Sequence, residues 1–244
     1  MFNVVADECI NYIHQSSTAP RKNDKIMYKI LVADDHPLFR DAVINIISQT
    51  FPNSEIFESE DINSTLAFVK ENSEIDLILL DLNMPGMSGL AGLLDLRNQF
   101  PTTPVVIISA ETEKQVILQT IAYGAVGFIA KSSTKSTIGK AIESILEGNV
   151  YLPADIIRSE ATVNTPKEFE VSPEKILLLT RRELMVLKNL TKGEANKQIA
   201  FNLNISETTV KSHVSSILKK LGASNRVKVV VGCGDIDFNQ YMKR

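Results

Sequence analysis

Five short apolar runs, at residues 29–34, 54–59, 76–81, 104–109 and 127–130, constrain the fold of this chain more than any other feature. Each gap between them contains an amphipathic stretch of about a dozen residues. This alternation predicts parallel strands joined by crossover helices on both faces of one sheet. The first part of the chain is therefore expected to be a doubly wound α/β domain. Its helices are expected to begin near Pro37, Ile62, Gly89, Lys114 and Thr134.

The last third of the chain shows helical periodicity only, at residues 181–190, 196–202, 208–221 and 225–231. It predicts a small all-α domain. A polar segment with Pro153, Pro166 and Pro173 lies between the two patterns and predicts a linker, with one helical turn around 154–160. We expect an N-terminal extension at 1–27, an α/β domain at 28–148, a linker at 149–173 and the helical domain at 174–244.

Charge divides the chain in the same way. Residues 172–244 carry 13 Lys and Arg against 6 Asp and Glu, whereas residues 1–171 carry 13 basic and 23 acidic residues. A compact basic domain is typical of a nucleic-acid binder, and an acidic one is repelled by phosphate backbones. We expect the helical domain to bind nucleic acid.

Composition argues for an ordinary globular protein, with 44% hydrophobic and 23% charged residues. No apolar run approaches the roughly 20 residues that a membrane-spanning helix needs, and the N-terminus lacks the features of a signal peptide. We therefore expect a cytoplasmic protein without a membrane partner. Cys9 and Cys233 are isolated in the sequence and are interpreted as idle thiols.

Polar residues stand where the predicted strands end. Asp34 and Asp35 close the first run, Asp81 the third, Ser109 the fourth, and Lys131 follows the fifth. The carboxyl ends of parallel strands share one edge of a sheet, so these groups should converge there. Oxygen ligands of this kind bind Mg²⁺, and a carboxylate can accept a phosphoryl group. The alternative is that the acids only cap turns and that Lys131 is a surface charge.

The strings LVADDHPLFR, LILLDLNMPGMSG, VVIISA and GAVGFIAKSS resemble the flavodoxin-like receiver domains of bacterial response regulators, over roughly residues 28–148. The resemblance implies that Asp81 is the phosphoacceptor. It also implies that Mg²⁺ is bound by Asp35, Asp81 and the Asn83 carbonyl, with Asp34 acting partly through water. Ser109 and Lys131 would sense the phosphoryl group.

Three positions within this resemblance need separate interpretation. Phe128 stands where the family has a switch aromatic, and the alternative is an ordinary core phenylalanine. Ser109 replaces the threonine of many receivers and keeps the hydroxyl, and Ser132 replaces a common proline. His36 lies beside the acids, but a histidine without a partner at ligand spacing is interpreted as structural.

The segment from Leu179 to Val231 resembles the LuxR, NarL and FixJ type of helix-turn-helix domain. Its third helix, 208–221, is the predicted recognition helix because its outward face is small, polar and basic. That face comprises Thr208, Thr209, Lys211, Ser212, Ser215 and Lys219. The alternative is a solvated charged surface.

The resemblance also implies a role for individual residues of this domain. Lys211, Ser212 and Ser215 would contact bases, although serine at 215 is short for direct base readout. Phosphate contacts are implied for Arg182, Asn196, Lys197, Thr209 and Lys219. The last helix, 225–231, corresponds to the family's dimerisation helix.

Together these features predict a response regulator that is not an enzyme. Its expected partners are a sensor histidine kinase, Mg²⁺, promoter DNA, a second copy when phosphorylated, and RNA polymerase. One alternative is a Mg²⁺-dependent phosphatase, but these enzymes need a second acid two residues after the nucleophile, and Asn83 stands there. The other is a quorum-sensing regulator with a small-molecule-binding front domain.

Overall fold

The computed structural model describes residues 27–156, 171–233, 236 and 238–242. Its strands are β1 Lys29–Ala33, β2 Glu55–Ser59, β3 Leu77–Leu80, β4 Val105–Ser109 and β5 Gly127–Ala130. They are parallel and form one sheet in the order β2-β1-β3-β4-β5. Each strand coincides with one of the apolar runs, so the predicted five-stranded parallel sheet is confirmed.

Helices cover both faces of this sheet. The first and last of them share one apolar cluster, and the other three share a second cluster on the opposite face. Ile30 and Val32 of β1 point into the first cluster, and Leu31 and Ala33 into the second. The strand is therefore apolar throughout because both of its faces are buried. The helices are α1 Pro37–Thr50, α2 Ile62–Glu71, α3 Ala91–Gln99, α4 Lys114–Ala122 and α5 Lys135–Leu146.

Some helix boundaries differ from the expected ones by one or two residues. The helix expected near Gly89 begins at Ala91, because Gly86 and Gly89 have φ of 80° and 56°, which a right-handed helix cannot include. Thr134 precedes α5 as its N-cap, since its side chain accepts a hydrogen bond from the Thr137 amide.

The second domain is all-α, as predicted, and is built around its own core. Its helices are α6 Pro173–Ile176, α7 Arg181–Thr191, α8 Asn196–Leu203, α9 Glu207–Leu221, α10 Arg226–Gly232 and α11 Asn239–Met242. Thr180 and Glu183 form the capping box that their spacing predicts at the start of α7. Gly222, with φ of 72°, ends α9. Cys233 is buried in the core, and this burial raises the pKa of its thiol to about 11, so the thiol stays protonated.

The segment after α5 is more ordered at its start than a linker pattern indicates. Tyr151 extends the edge of the sheet: its carbonyl accepts from the Phe128 amide at 2.9 Å, and its amide donates to the Val126 carbonyl at 3.2 Å. Residues 154–156 are helical, and the rest of the turn expected at 154–160 lies outside the described residues. Residues 1–26 of the extension, with Cys9, also lie outside them. The domain boundaries stay a prediction.

Within the ranges that the structure describes, no helix has both the length and the hydropathy that crossing a bilayer requires.

Candidate phosphorylation site and nucleic-acid interface

The acidic residues meet at the carboxyl edge of the sheet. Asp34 and Asp35 follow β1, and Asp81 follows β3. Asp34 and Asp81 are fully buried, and ligand atoms of these three acids and His36 all lie within 4.8 Å of one another. The Oδ1 atom of Asp81 is buried and has no hydrogen-bond partner within the described part of the chain. An unpaired carboxylate oxygen in such a cluster fits a hard divalent cation, so these residues suit Mg²⁺.

Lys131 is the cation that pairs with the buried acids. Its Nζ lies 2.8 Å from Asp34 Oδ2 and 2.9 Å from Asp81 Oδ2, and 4.8 Å from the centre of the Phe39 ring. Burial by itself lowers the pKa of the Lys131 amine, but hydrogen bonds to Asp34 and Asp81 outweigh it and raise the pKa overall. The amine is therefore charged at neutral pH and aimed at Asp81.

The other proposed site residues of this domain differ in how deeply they are buried. Ser109 ends β4, is fully buried, and accepts a hydrogen bond from the Glu111 amide through Oγ at 3.2 Å. Phe128 is fully buried within the second apolar cluster, the one that α2, α3 and α4 share. Its burial fits both a core residue and an inward-turned switch aromatic. Asn83 is exposed in the loop after β3.

His36 lies closer to the acids than the sequence indicates. Its Nδ1 is 2.7 Å from Asp35 Oδ1 and 3.3 Å from Asp34 Oδ1, and its amide donates to Asp34 Oδ1 at 2.9 Å. The imidazole is more than half exposed. In this structure the His36 amide hydrogen-bonds Asp34, and the imidazole lies against the carboxylates of Asp34 and Asp35.

Sequence reasoning missed Arg40, which is buried beneath the acidic turn. Its guanidinium donates to the Asp34 main-chain carbonyl at 2.6 Å, to Glu58 at 2.7 Å and to Glu60 at 3.1 Å. A signal was present, since Arg40 occupies the same helical stripe of α1 as the buried Val43 and Ile47. A charged residue on an apolar stripe needs a specific partner.

The predicted DNA-binding residues fall into two groups. Most are exposed, on α9 or at the start of α7: Arg182, Thr208, Thr209, Ser212, Ser215 and Lys219. Asn196, Lys197 and Lys211 are instead turned toward the receiver-like domain, and Asn196 is buried. Only the first group is free to approach a nucleic acid in this arrangement.

Lys211 and Lys197 bind the first domain directly. Lys211 Nζ donates to the main-chain carbonyls of Ser73 at 2.8 Å and Ile75 at 3.3 Å. Lys197 Nζ lies 2.6 Å from Asp76 Oδ2, also donates to the Met27 carbonyl, and stands 5.0 Å from the centre of the Tyr28 ring. Both ammonium groups therefore contact anionic or carbonyl oxygens, the kinds of acceptor that DNA phosphates and base edges offer.

The two domains also approach closely through glycine backbones. A Cβ atom at Gly148 would lie 1.5 Å from the Gly193 carbonyl oxygen, and one at Gly124 would lie 2.8 Å from Asn225 Nδ2, next to α10. Val227 of α10 packs against the first apolar cluster of the sheet, the one that α1 and α5 share. The start of the predicted dimerisation helix is thus partly covered.

Two family models match the chain. A response regulator receiver domain matches residues 30–143, and bacterial regulatory proteins of the luxR family match residues 177–232. A glycerol metabolism activator of Pseudomonas putida is 58% identical over 221 residues, which is 89% of this chain and 100% of that protein. The nitrate/nitrite response regulator protein NarP of Escherichia coli K12 is 33% identical over 204 residues, 84% and 93% of the two chains.

Solved structures agree in fold. A LuxR-family two-component response regulator from Aurantimonas sp. SI85-9A1 has a TM-score of 0.51 at 26% identity, covering 56% of this chain and 96% of that one. A structure of RcsB dimers bound to DNA has a TM-score of 0.51 at 20% identity, covering 87% and 100%.

These matches decide between the alternatives. The front domain is a receiver, which contradicts a small-molecule-binding quorum-sensing domain, and neither matched domain is that of a catalytic enzyme, which argues against the phosphatase. The chain belongs to the two-component response regulators that join a receiver domain to a LuxR-family helix-turn-helix DNA-binding domain.

Proposed function

We propose that a sensor histidine kinase phosphorylates Asp81 in the cytoplasm, and that this modification controls dimerisation and sequence-specific binding to promoter DNA. The observation that carries the proposal is the unpaired Oδ1 atom of Asp81, buried within a cluster of acids beside the charged Lys131. A carboxylate in that position has a free oxygen for a new bond and a cation next to it.

The chemistry is transfer of one phosphoryl group. A carboxylate oxygen of Asp81 attacks the phosphorus of a phosphohistidine, the bond from phosphorus to imidazole nitrogen breaks, and an acyl phosphate forms. Asp35, Asp81 and the Asn83 carbonyl would hold Mg²⁺, with Asp34 acting through water, and the ion would neutralise charge on the phosphoryl oxygens. Lys131 and Ser109 bind the remaining phosphoryl oxygens.

The contacts between the domains support a closed state before phosphorylation. Lys197 and Lys211, two of the proposed DNA contacts, are occupied by receiver oxygens, and the start of α10 is partly covered. A protein with these lysines engaged has fewer cations for phosphate. Phosphorylation shifts the equilibrium toward an open state, in which α9 enters the major groove and α10 pairs with a second copy.

Similarity to the Pseudomonas putida protein, which is named as an activator, supports a role as an activator. An activator of transcription would act on RNA polymerase. The name of that relative makes promoters of glycerol metabolism genes the first DNA sequences to test.

The test compares wild-type protein with Asp81→Asn. Both are incubated with acetyl phosphate and Mg²⁺, and phosphorylation is read by intact mass, dimerisation by sedimentation, and DNA affinity by fluorescence anisotropy. We expect only the wild type to gain a phosphoryl group, to dimerise and to bind DNA more tightly. Equal DNA affinity with and without phosphorylation would contradict the control mechanism, and labelling of Asp81→Asn would contradict the assignment of the acceptor.

A further inference from the structure

We propose that Arg40 is a positioning residue for the acidic site, which sets the affinity for Mg²⁺ without touching the cation. The inference rests on the proposed function, because it concerns the site at which Asp81 is phosphorylated. Arg40 lies on α1, is only 7% exposed, and donates to the Asp34 main-chain carbonyl at 2.6 Å.

That carbonyl controls the position of the next acid. The Asp34 carbonyl belongs to the same planar peptide unit as the amide nitrogen and Cα of Asp35. Fixing the oxygen therefore fixes the position of the Asp35 Cα, from which the side chain leaves the backbone. The amide of Asp34 is held separately by the Ser59 carbonyl at 3.1 Å. Arg40 and Ser59 together fix the two peptide units on either side of Asp34.

The guanidinium is itself held in place. Glu58, within β2, and Glu60, one residue after its end, accept its other hydrogen bonds. Arg40 thus connects α1, the turn after β1 and the end of β2. The planar fork of arginine reaches three acceptors in different directions, which a lysine ammonium on a flexible stem cannot reproduce.

The charge of Arg40 is itself paired with Glu58 and Glu60, so Arg40 acts on the acids through position. Its hydrogen bond to the Asp34 carbonyl holds the turn that carries Asp34 and Asp35 before a cation arrives. Groups that orient metal ligands in this way typically change metal affinity by about 10- to 100-fold when they are removed.

The test measures Mg²⁺ affinity of the full chain by isothermal titration calorimetry for wild type, Arg40→Met and Arg40→Lys. Arg97→Met is the matched control: Arg97 is equally buried and also donates to main-chain carbonyls, those of Phe100, Pro101 and Thr103, away from the acids. Thermal unfolding is followed in parallel, since both arginine losses should lower Tm.

We expect Arg40→Met to weaken Mg²⁺ binding by about tenfold or more, Arg40→Lys to weaken it less, and Arg97→Met to leave it unchanged. Labelling by acetyl phosphate should need correspondingly more Mg²⁺ in Arg40→Met and reach the wild-type rate when Mg²⁺ saturates. If Arg40→Met does not fold, the Mg²⁺ affinity of Arg40→Lys relative to wild type tests the proposal instead.

Mg²⁺ binding by a folded Arg40 variant as tight as that of wild type overturns the proposal, as does equal weakening in Arg97→Met. Failure of the wild type itself to bind Mg²⁺ or to be labelled would instead overturn the proposed function, and the positioning role with it. The two failures are therefore distinguishable.

Discussion

At the scale of single residues, Lys131 is the cation that pairs with two fully buried carboxylates. Its Nζ bridges Asp34 and Asp81, at 2.8 Å and 2.9 Å. Breaking a buried ion pair by removing one partner is strongly destabilising, because the other charge stays buried without compensation. Mg²⁺ would supply the missing positive charge at the same carboxylates.

We therefore predict that Lys131→Met lowers the unfolding free energy of the receiver domain by roughly 3 kcal/mol without Mg²⁺. Adding Mg²⁺ should raise its Tm by more than it raises that of wild type. Thermal unfolding in EDTA and in Mg²⁺ measures both effects, with the exposed Lys140→Met as control. A Mg²⁺-induced rise no larger than in wild type would show that Lys131 does not balance the acids.

Residue positions at the strand ends were predictable because parallel strands place their carboxyl ends at one edge. Asp34, Asp81, Ser109 and Lys131 follow directly from that rule. Arg40 and His36 do not, since their partners depend on rotamers and on the path of the turn after β1. The role of Lys197 at the domain interface was also beyond sequence reasoning, because Asp76 is far from it along the chain.

At the scale of elements, Glu183 joins α7 to α9, the predicted recognition helix. Its carboxylate accepts from Lys220 Nζ at 2.7 Å and from Ser216 Oγ at 2.6 Å, in addition to the Thr180 amide of the capping box. Burial by itself raises the pKa of Glu183, but the hydrogen bonds from Lys220, Ser216 and Thr180 outweigh it and lower the pKa to about 2.

A pKa below its unfolded value means that the ionised carboxylate stabilises the folded domain. The stabilisation is complete above the ordinary pKa of 4.5 and is lost as the pH falls from there through about 2. We predict that Glu183→Gln lowers local stability at pH 7 by on the order of 1 kcal/mol, because solvent screens part of the interaction, and that this difference shrinks at acid pH. Hydrogen exchange of α7 and α9 peptides measures it, with the exposed Glu113→Gln as control. A difference that stays constant down to pH 2 would contradict the assignment.

Elements differ in how much of them the side-chain pattern reveals. The strands and the capping box of α7 were predictable because burial and capping leave a mark on residue type. The pairing of Tyr151 with the edge of β5 was not, since it uses backbone groups only. It depends instead on Gly127, where a Cβ atom would lie 2.9 Å from the Tyr151 carbonyl oxygen.

At the scale of the whole molecule, the arrangement of the two domains depends on the contact between Gly148 and Gly193. A Cβ atom at Gly148 would overlap the Gly193 carbonyl at 1.5 Å, whereas a Cβ atom at Gly193 would make only ordinary contacts, at 3.6 Å and beyond. Both glycines have positive φ, 99° and 83°, so alanine strains the backbone at either position. The two substitutions differ mainly in whether they force the domains apart.

We predict that Gly148→Ala opens the unphosphorylated protein and strengthens its DNA binding by about tenfold, because a larger fraction of molecules is competent to bind. Gly193→Ala should have a much smaller effect. Fluorescence anisotropy with promoter DNA, at one salt concentration and without acetyl phosphate, measures both variants. Equal affinities for Gly148→Ala, Gly193→Ala and wild type would mean that this contact does not restrain DNA binding.

Lys197 and Lys211 contact receiver oxygens of their own chain. The population of the closed state therefore depends on the local concentration of these oxygens near the two lysines. Since the two domains are parts of one chain, Asp76 and the carbonyls of Ser73 and Ile75 meet the two lysines as a tethered ligand, for which effective concentrations can be on the order of millimolar. Contacts too weak to hold separate molecules together can therefore compete with DNA. Lengthening the linker would lower the DNA concentration needed for binding without any change in either binding surface.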